Sequence, residues 1–161
     1  MESVSGSPIS AAVDVLGDRW TLLILRDIIF DDRRHFRALL TGSREGIASN
    51  ILADRLVRLL DAGLLTRGTA ARGQRARYSL TEAGIRTLPV LVALGDWGLD
   101  WRETGDEHRR RQDVLRAGGP EFVDELMGEL RVRHLDATPT RPGAPGAFER
   151  LAAAASDPSP T

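Results

Sequence analysis

The 161-residue chain contains no cysteine. Disulfides, thiolate zinc sites, thiol nucleophiles and cysteine redox switches are therefore excluded. Lysine is absent as well, so all 22 basic residues are arginine. Each cation carries the planar donor fork that suits phosphate and guanine. No apolar run reaches the roughly 18 residues that a membrane-spanning helix needs. The opening MESVSGSPIS lacks the apolar stretch of a secretory signal, so a cytoplasmic protein without a membrane partner is expected. His35, His108 and His134 are far apart and share no ligand-like spacing, and no metal site is expected. A nucleophile elbow, a glycine-rich phosphate loop and a metalloprotease helix are all missing, so neither catalytic residues nor a cofactor are anticipated. There is no internal repeat.

An apolar content of 42% is enough for the core of one compact domain with a small appendage. The net charge of −1 conceals a strong segregation. Residues 1–32 carry −4, residues 33–77 carry +7 from ten arginines against three acids, and residues 78–161 carry −4. A cationic middle between acidic flanks is either a polyanion-facing surface or a merely solvated face.

Hydrophobic periodicity orders the chain. Ile9, Ala12, Val13 and Leu16 mark one face of a first helix, with Ser7 as cap and Pro8 in its first turn. Residues 20–30, WTLLILRDIIF, are apolar nearly all round and predict a central buried helix. Phe36, Leu39 and Leu40 define a short third helix from about Arg34. After a polar connection over 41–46, Leu52, Leu56, Leu59 and Leu60 form the inward stripe of a fourth helix, with Ile51 and Val57 alongside. Gly63 reads as its C-terminal cap. Residues 64–69 and 76–80 predict two strands joined by a small, basic tip, Ala70-Ala71-Arg72-Gly73-Gln74-Arg75. A helix then opens at Thr81, its stripe running through Ile85, Leu88, Leu91, Val92, Gly95 and Leu99, and Pro89 kinks or restarts it. Beyond a charged stretch over 103–111, Phe122, Val123, Leu126, Met127 and Leu130 predict one further amphipathic helix. Residues 137–147 read as a linker, 148–155 as a last short helix, and SDPSPT as a disordered tail.

This order, four helices, a hairpin and another helix, is the plan of a winged helix-turn-helix. The expected fold class is mainly α with a two-stranded β wing. In such a plan one helix enters the major groove of B-DNA, roughly 12 Å wide, while the basic hairpin tip reaches neighbouring phosphates or the minor groove. The +7 segment coincides with that unit.

Six strings carry a more specific likeness. Ser7-Pro8-Ile9, GDRWTLLILRDI (17–28), HFRALL (35–40), GIASNILADRLVRLLDAGLLTR (46–67), RARYSLTEAG (75–84) and LPVLVALGDWG (88–98) strongly resemble the HxlR-type winged helix-turn-helix regulators over about residues 7–102. The resemblance implies a cytoplasmic homodimer on a roughly palindromic operator. It also shows two departures. Many members place cysteine just before the Pro-Ile pair, where this chain has Ser7, so thiol sensing is unavailable. Ala48 stands where the family commonly has serine, leaving Ser49 as the cap of the fourth helix or that end uncapped.

On this reading Ser49, Asn50, Ala53 and Asp54 lie on the first turns of the recognition helix and are the candidates for base contact. Asn50 suits adenine; Asp54 accepts from cytosine or orients Arg55. Arg55 and Arg58 bind phosphate or guanine, or else pair with Asp54 and Asp61; Arg55 matches a family arginine and is preferred. Arg37, Arg44, Arg72, Arg75 and Arg77 complete the DNA-facing set, Arg72 and Arg75 having the freest reach. Ile9, Val13, Leu91, Trp97 and Trp101 are assigned to a dimer interface or an effector pocket.

Residues 1–102 are thus expected to form the DNA-binding and dimerisation domain, and residues 103–161 a helical extension with a Pro/Gly/Ala-rich linker. The expected function is sequence-specific regulation of transcription by operator occupancy, repression ahead of activation, tuned by a non-cysteine effector. A winged-helix adapter that binds protein and not DNA is the alternative.

Overall fold

The computed structural model describes residues 6–157. The fold divides into two compact units, Met1–Gly84 and Ile85–Thr161. In the first, α1 (Pro8–Leu16) begins where Ser7 Oγ accepts the Ser10 N–H at 3.4 Å, and no residue of this helix is buried. α2 (Arg19–Asp31) is capped by Asp18, whose carboxylate accepts the Thr21 N–H at 3.0 Å. It supplies the centre of the core through Ile24, Leu25, Ile28 and Ile29. α3 (Phe36–Gly42) and α4 (Ser49–Asp61) pack together and on α2 through Leu39, Leu52, Leu56 and Leu59. Truncating Leu52 or Leu56 to alanine should cost about 3 kcal/mol, because both side chains are buried and their loss leaves a cavity in the packed core.

The end of α4 follows from one residue. Gly63 has φ +75°, a left-handed conformation that side chains resist. From there the Gly63 N–H reaches the Leu60 carbonyl and the Leu64 N–H reaches the Leu59 carbonyl, each at 3.0 Å. These paired bonds stop the helix and turn the chain into the sheet. β1 (Leu65–Arg67) and β2 (Tyr78–Leu80) pair antiparallel with Leu65 opposite Leu80, Thr66 opposite Ser79 and Arg67 opposite Tyr78. The strands are shorter than their sequence pattern suggests, since ladder pairing stops at residues 67 and 78. Within the ten-residue loop, Gly73 at φ +84° makes a turn closed by the Gln74 N–H on the Ala71 carbonyl at 2.8 Å.

α3 starts at Phe36, two residues later than its periodicity implies. The reason is that Arg34 is tied by hydrogen bonds to β2. Its carbonyl accepts the Tyr78 N–H at 2.7 Å, its Nε donates to the Tyr78 carbonyl at 3.0 Å, and its second guanidinium nitrogen donates to Ser79 Oγ at 2.6 Å. His35 adds a ring Nδ1 contact to the Ala76 carbonyl at 3.0 Å. The wing is thereby fastened to the start of α3.

α5 (Glu82–Ile85) is a single turn, and the chain restarts at α6 (Leu88–Trp101) with Pro89 in its first turn. Of the two roles open to Pro89, the structure takes the restart. In the second unit α6 is followed by α7 (Asp106–Leu135) and α8 (Ala147–Ser156). α7 begins far earlier than the apolar pattern from Phe122 indicates. Its first half is held to α6 by polar groups: Gln112 donates to the Val92 carbonyl at 3.0 Å and to Asp96 at 2.8 Å, while Arg116 pairs with Asp96 at 3.2 Å and Asp100 at 3.0 Å. Gly119, at φ +64° and ψ −163°, breaks α7 just before Pro120. α8 buries Phe148, Leu151 and Ala155 against α7, and Glu129 accepts the Phe148 N–H at 3.0 Å in place of a local cap. Ser156, expected in the tail, closes α8; residues 158–161 of that expected tail lie outside the described residues. Among the described residues no helix is long and apolar enough to cross a membrane, and no group of three or more His, Asp or Glu could hold a metal ion.

Candidate nucleic-acid interface

Two helices and the turn between them form the centre of the site. In that turn Gly46 takes φ +72°, Ser43 Oγ accepts the Ile47 N–H at 3.1 Å, and Ile47 is buried. The turn is also clamped from α2. Arg26 grips Glu45 with two bonds, 2.7 and 2.9 Å, and Asp27 with two more, 2.9 and 2.7 Å. Arg33 donates to the Gly42 carbonyl at 2.7 Å and to Asp27 at 3.2 Å. The Arg26 guanidinium holds the Glu45 carboxyl below its usual range. A network this well satisfied fixes the angle between α3 and α4.

α4 begins at Ser49 with Ala48 as cap residue and no side-chain capping bond. Of the two alternatives, an uncapped start is the one realised. Its first N–H groups therefore lack a side-chain acceptor at an end where the helix dipole favours anions. The inward stripe is Leu52, Leu56 and Leu59, while Ser49, Asn50, Ala53, Asp54, Val57, Arg58 and Asp61 face outward. The outward position of Val57, 55% exposed, departs from the sequence pattern that sets it beside the inner stripe.

The ten arginines of 33–77 do not all serve one surface. Arg34 is buried in the wing clamp, and Arg33 is bound into the turn network. Arg55, preferred over Arg58 in the sequence reading, is turned back to Asp18 at 2.9 Å and to Asp54. Its partner Asp18 is lowered to about 2, chiefly by the bond from Arg55 and also by the Thr21 N–H. Asp18 therefore ties the start of α2 to the middle of α4. Arg58 instead points outward, with one bond to Asp54 at 3.0 Å. Seven arginines stay exposed: Arg37 on α3, Arg44 in the turn, Arg58 on α4, Arg67 at the end of β1, and Arg72, Arg75 and Arg77 in the wing loop.

The internal roles of Arg33, Arg34 and Arg55 escape sequence reasoning because their partners lie 6 to 45 residues away in the chain. Only the adjacent Asp54 was visible as a partner of Arg55. No local signal marks Asp18 as more than a cap.

Outside this unit and on α1, apolar surface is left uncovered. Ile9 and Val13 are both more than half exposed on α1. On α6, Val90, Leu94, Trp97 and Trp101 recur at i, i+4, i+7 and i+11, so they share one face, and Trp101 is 67% exposed. Leu91 is half-buried beside them. The Arg102 guanidinium stacks on Trp97 at 4.9 Å from the ring centre.

The model of the HxlR-like helix-turn-helix family matches residues 15–106. An uncharacterised HTH-type transcriptional regulator of Mycobacterium tuberculosis is 38% identical over 94 residues, which are 58% of each chain. Another, of Synechocystis, is 34% identical over 97 residues, 60% of this chain and 70% of that one. The chain thus spans under two thirds of the mycobacterial relative it matches. Among solved structures, PA1607, a transcription factor candidate, superposes with a TM-score of 0.58 at 35% identity, covering 65% of this chain and 71% of that one. The reduced form of the transcriptional regulator YodB from Bacillus subtilis gives 0.50 at 27% identity, covering 62% and 98%. The fold is common ground with these two solved structures.

Proposed function

Since the chain belongs to the HxlR-like helix-turn-helix family, we propose that it is a DNA-binding transcriptional regulator, a homodimer that represses by occupying a roughly palindromic operator. The observation that carries this reading is the outer face of α4: polar, exposed, uncapped at its start and held on a clamped turn. Ser49, Asn50 and Ala53 face the base edges, while Arg37, Arg44, Arg58, Arg72, Arg75 and Arg77 meet phosphate. Arg55 acts by fixing α4, and Asp54 by orienting Arg55 and Arg58.

A second copy of the chain covers the apolar faces of α1 and α6, whose exposed Ile9, Val13, Trp97 and Trp101 support dimerisation. Two recognition helices then enter successive major grooves about 34 Å apart, which places half-site centres about ten base pairs apart. The trigger is a non-cysteine effector, because these residues contain no thiol. A cytoplasmic site of action accompanies this reading.

Mobility-shift titration against DNA from the region upstream of the coding sequence, at several salt concentrations, tests it. A regulator retains preference for one duplex over scrambled DNA as salt rises. An adapter shows no preference even at low salt, and that result would overturn the proposal.

A further inference from the structure

Val57 is a β-branched apolar side chain on the third turn of α4 that is 55% exposed among the described residues. It is set among polar neighbours: Asp54, Arg58 and Asp61 share the exposed side of the helix. A protein-docking surface would present a contiguous apolar patch, and one valine ringed by charges does not make one. The surrounding charge favours another occupant. Arg58 is 69% exposed beside Val57, and the segment from 33 to 77 carries +7, which complements a polyanion.

Asn50, Ala53, Asp54 and Val57 stand at i, i+3, i+4 and i+7, so they lie along one face. This is the spacing by which a helix in the major groove presents four side chains to base edges. The four are not equivalent. Asn50 offers the amide that matches adenine, and Asp54 is engaged by Arg55 and Arg58. Ala53 and Val57 offer only carbon. The base-pair feature in the major groove that rewards carbon is the C5 methyl of thymine.

We propose that Val57 packs against a thymine methyl and thereby sets a base preference at the far end of each half-site. The inference rests on the DNA-binding reading and adds a specificity determinant to it. Seven residue steps of helix lead from Asn50 to Val57, about 10 Å along the axis. At about 3.4 Å per base pair, the thymine read by Val57 lies about three steps from the adenine read by Asn50.

The test uses the full chain. A preferred duplex is first selected from a randomised pool, and each of its thymines is then replaced singly by uracil, which removes the methyl and nothing else. For the wild type, one replacement per half-site should weaken binding about fourfold, the factor for one methyl-sized group returned to water. Val57→Ser should bind the thymine and uracil duplexes equally at that position. Its melting temperature should stay within about 2 °C of wild type, because the side chain it replaces is exposed. A Val57→Ser protein that still discriminates thymine from uracil would overturn the proposal, as would a wild type indifferent to every replacement. Failure to enrich any duplex would instead refute the DNA-binding reading, and this inference with it.

Discussion

Replacing Arg34 with alanine should lower the stability of the chain while leaving the salt dependence of its DNA affinity unchanged. Arg34 is one of ten arginines in the cationic segment, yet its side chain is buried, with bonds of 3.0 Å to the Tyr78 carbonyl and 2.6 Å to Ser79 Oγ. A hydrogen bond from a charged donor contributes roughly 1.5 to 3 kcal/mol. Two such bonds, offset by the desolvation of one guanidinium, give a net loss of about 3 kcal/mol on truncation. For a chain of this size that corresponds to a fall of about 10 °C in melting temperature. Circular dichroism melts provide the first measurement, and amide exchange at Tyr78, whose N–H binds the Arg34 carbonyl, provides a local one. Below the new melting temperature, binding to the selected duplex should retain the wild-type salt slope. A shift under about 2 °C together with a shallower slope would mean that Arg34 faces phosphate, and the division of arginines into structural and DNA-facing sets would be wrong.

Two further variants probe other joints of the molecule. The Asp18 carboxyl is lowered to about 2 from an ordinary 3.8 by Arg55 and the Thr21 N–H, so the stability it contributes is present above about pH 4 and is lost as pH falls toward 2. Asp18→Asn keeps a capping side chain but not the charge, so its melting temperature should fall less steeply than that of the wild type across this window; parallel curves would refute the pairing. Trp97→Glu combined with Trp101→Glu places charge on the exposed α6 face. Light scattering should then report a monomer with a melting profile no longer dependent on protein concentration, whereas an intact dimer would show that this face lies outside the interface.

How much of this was legible in the sequence depends on what each helix buries. α2 and α4 are plain because leucine and isoleucine recur at helical spacing and face one core. The wing is plain because two short β-prone runs flank a small basic loop. α7 is not, because its first half meets α6 through Gln112 and Arg116, polar residues that sequence periodicity assigns to solvent. The same limit applies within the site. An arginine reads alike whether it faces solvent or a carbonyl 44 residues away, so nothing in the sequence separates Arg34, buried in the fold, from Arg72, exposed on the wing. Val57 errs in the opposite direction, since an apolar residue next to an inner stripe is assigned inward until the helix is seen to turn it out.

If the exposed wing guanidiniums contact duplex phosphates in a dimer, as proposed, the salt slope of binding reads those contacts. Affinity of wild type and of the Arg72→Ala, Arg75→Ala protein for the selected duplex would be plotted as log K against log salt. Loss of two phosphate contacts per protomer should flatten the slope by about 3.6, since each contact contributes about 0.9. An unaltered slope in a variant that remains folded and dimeric would show that the wing does not meet phosphate.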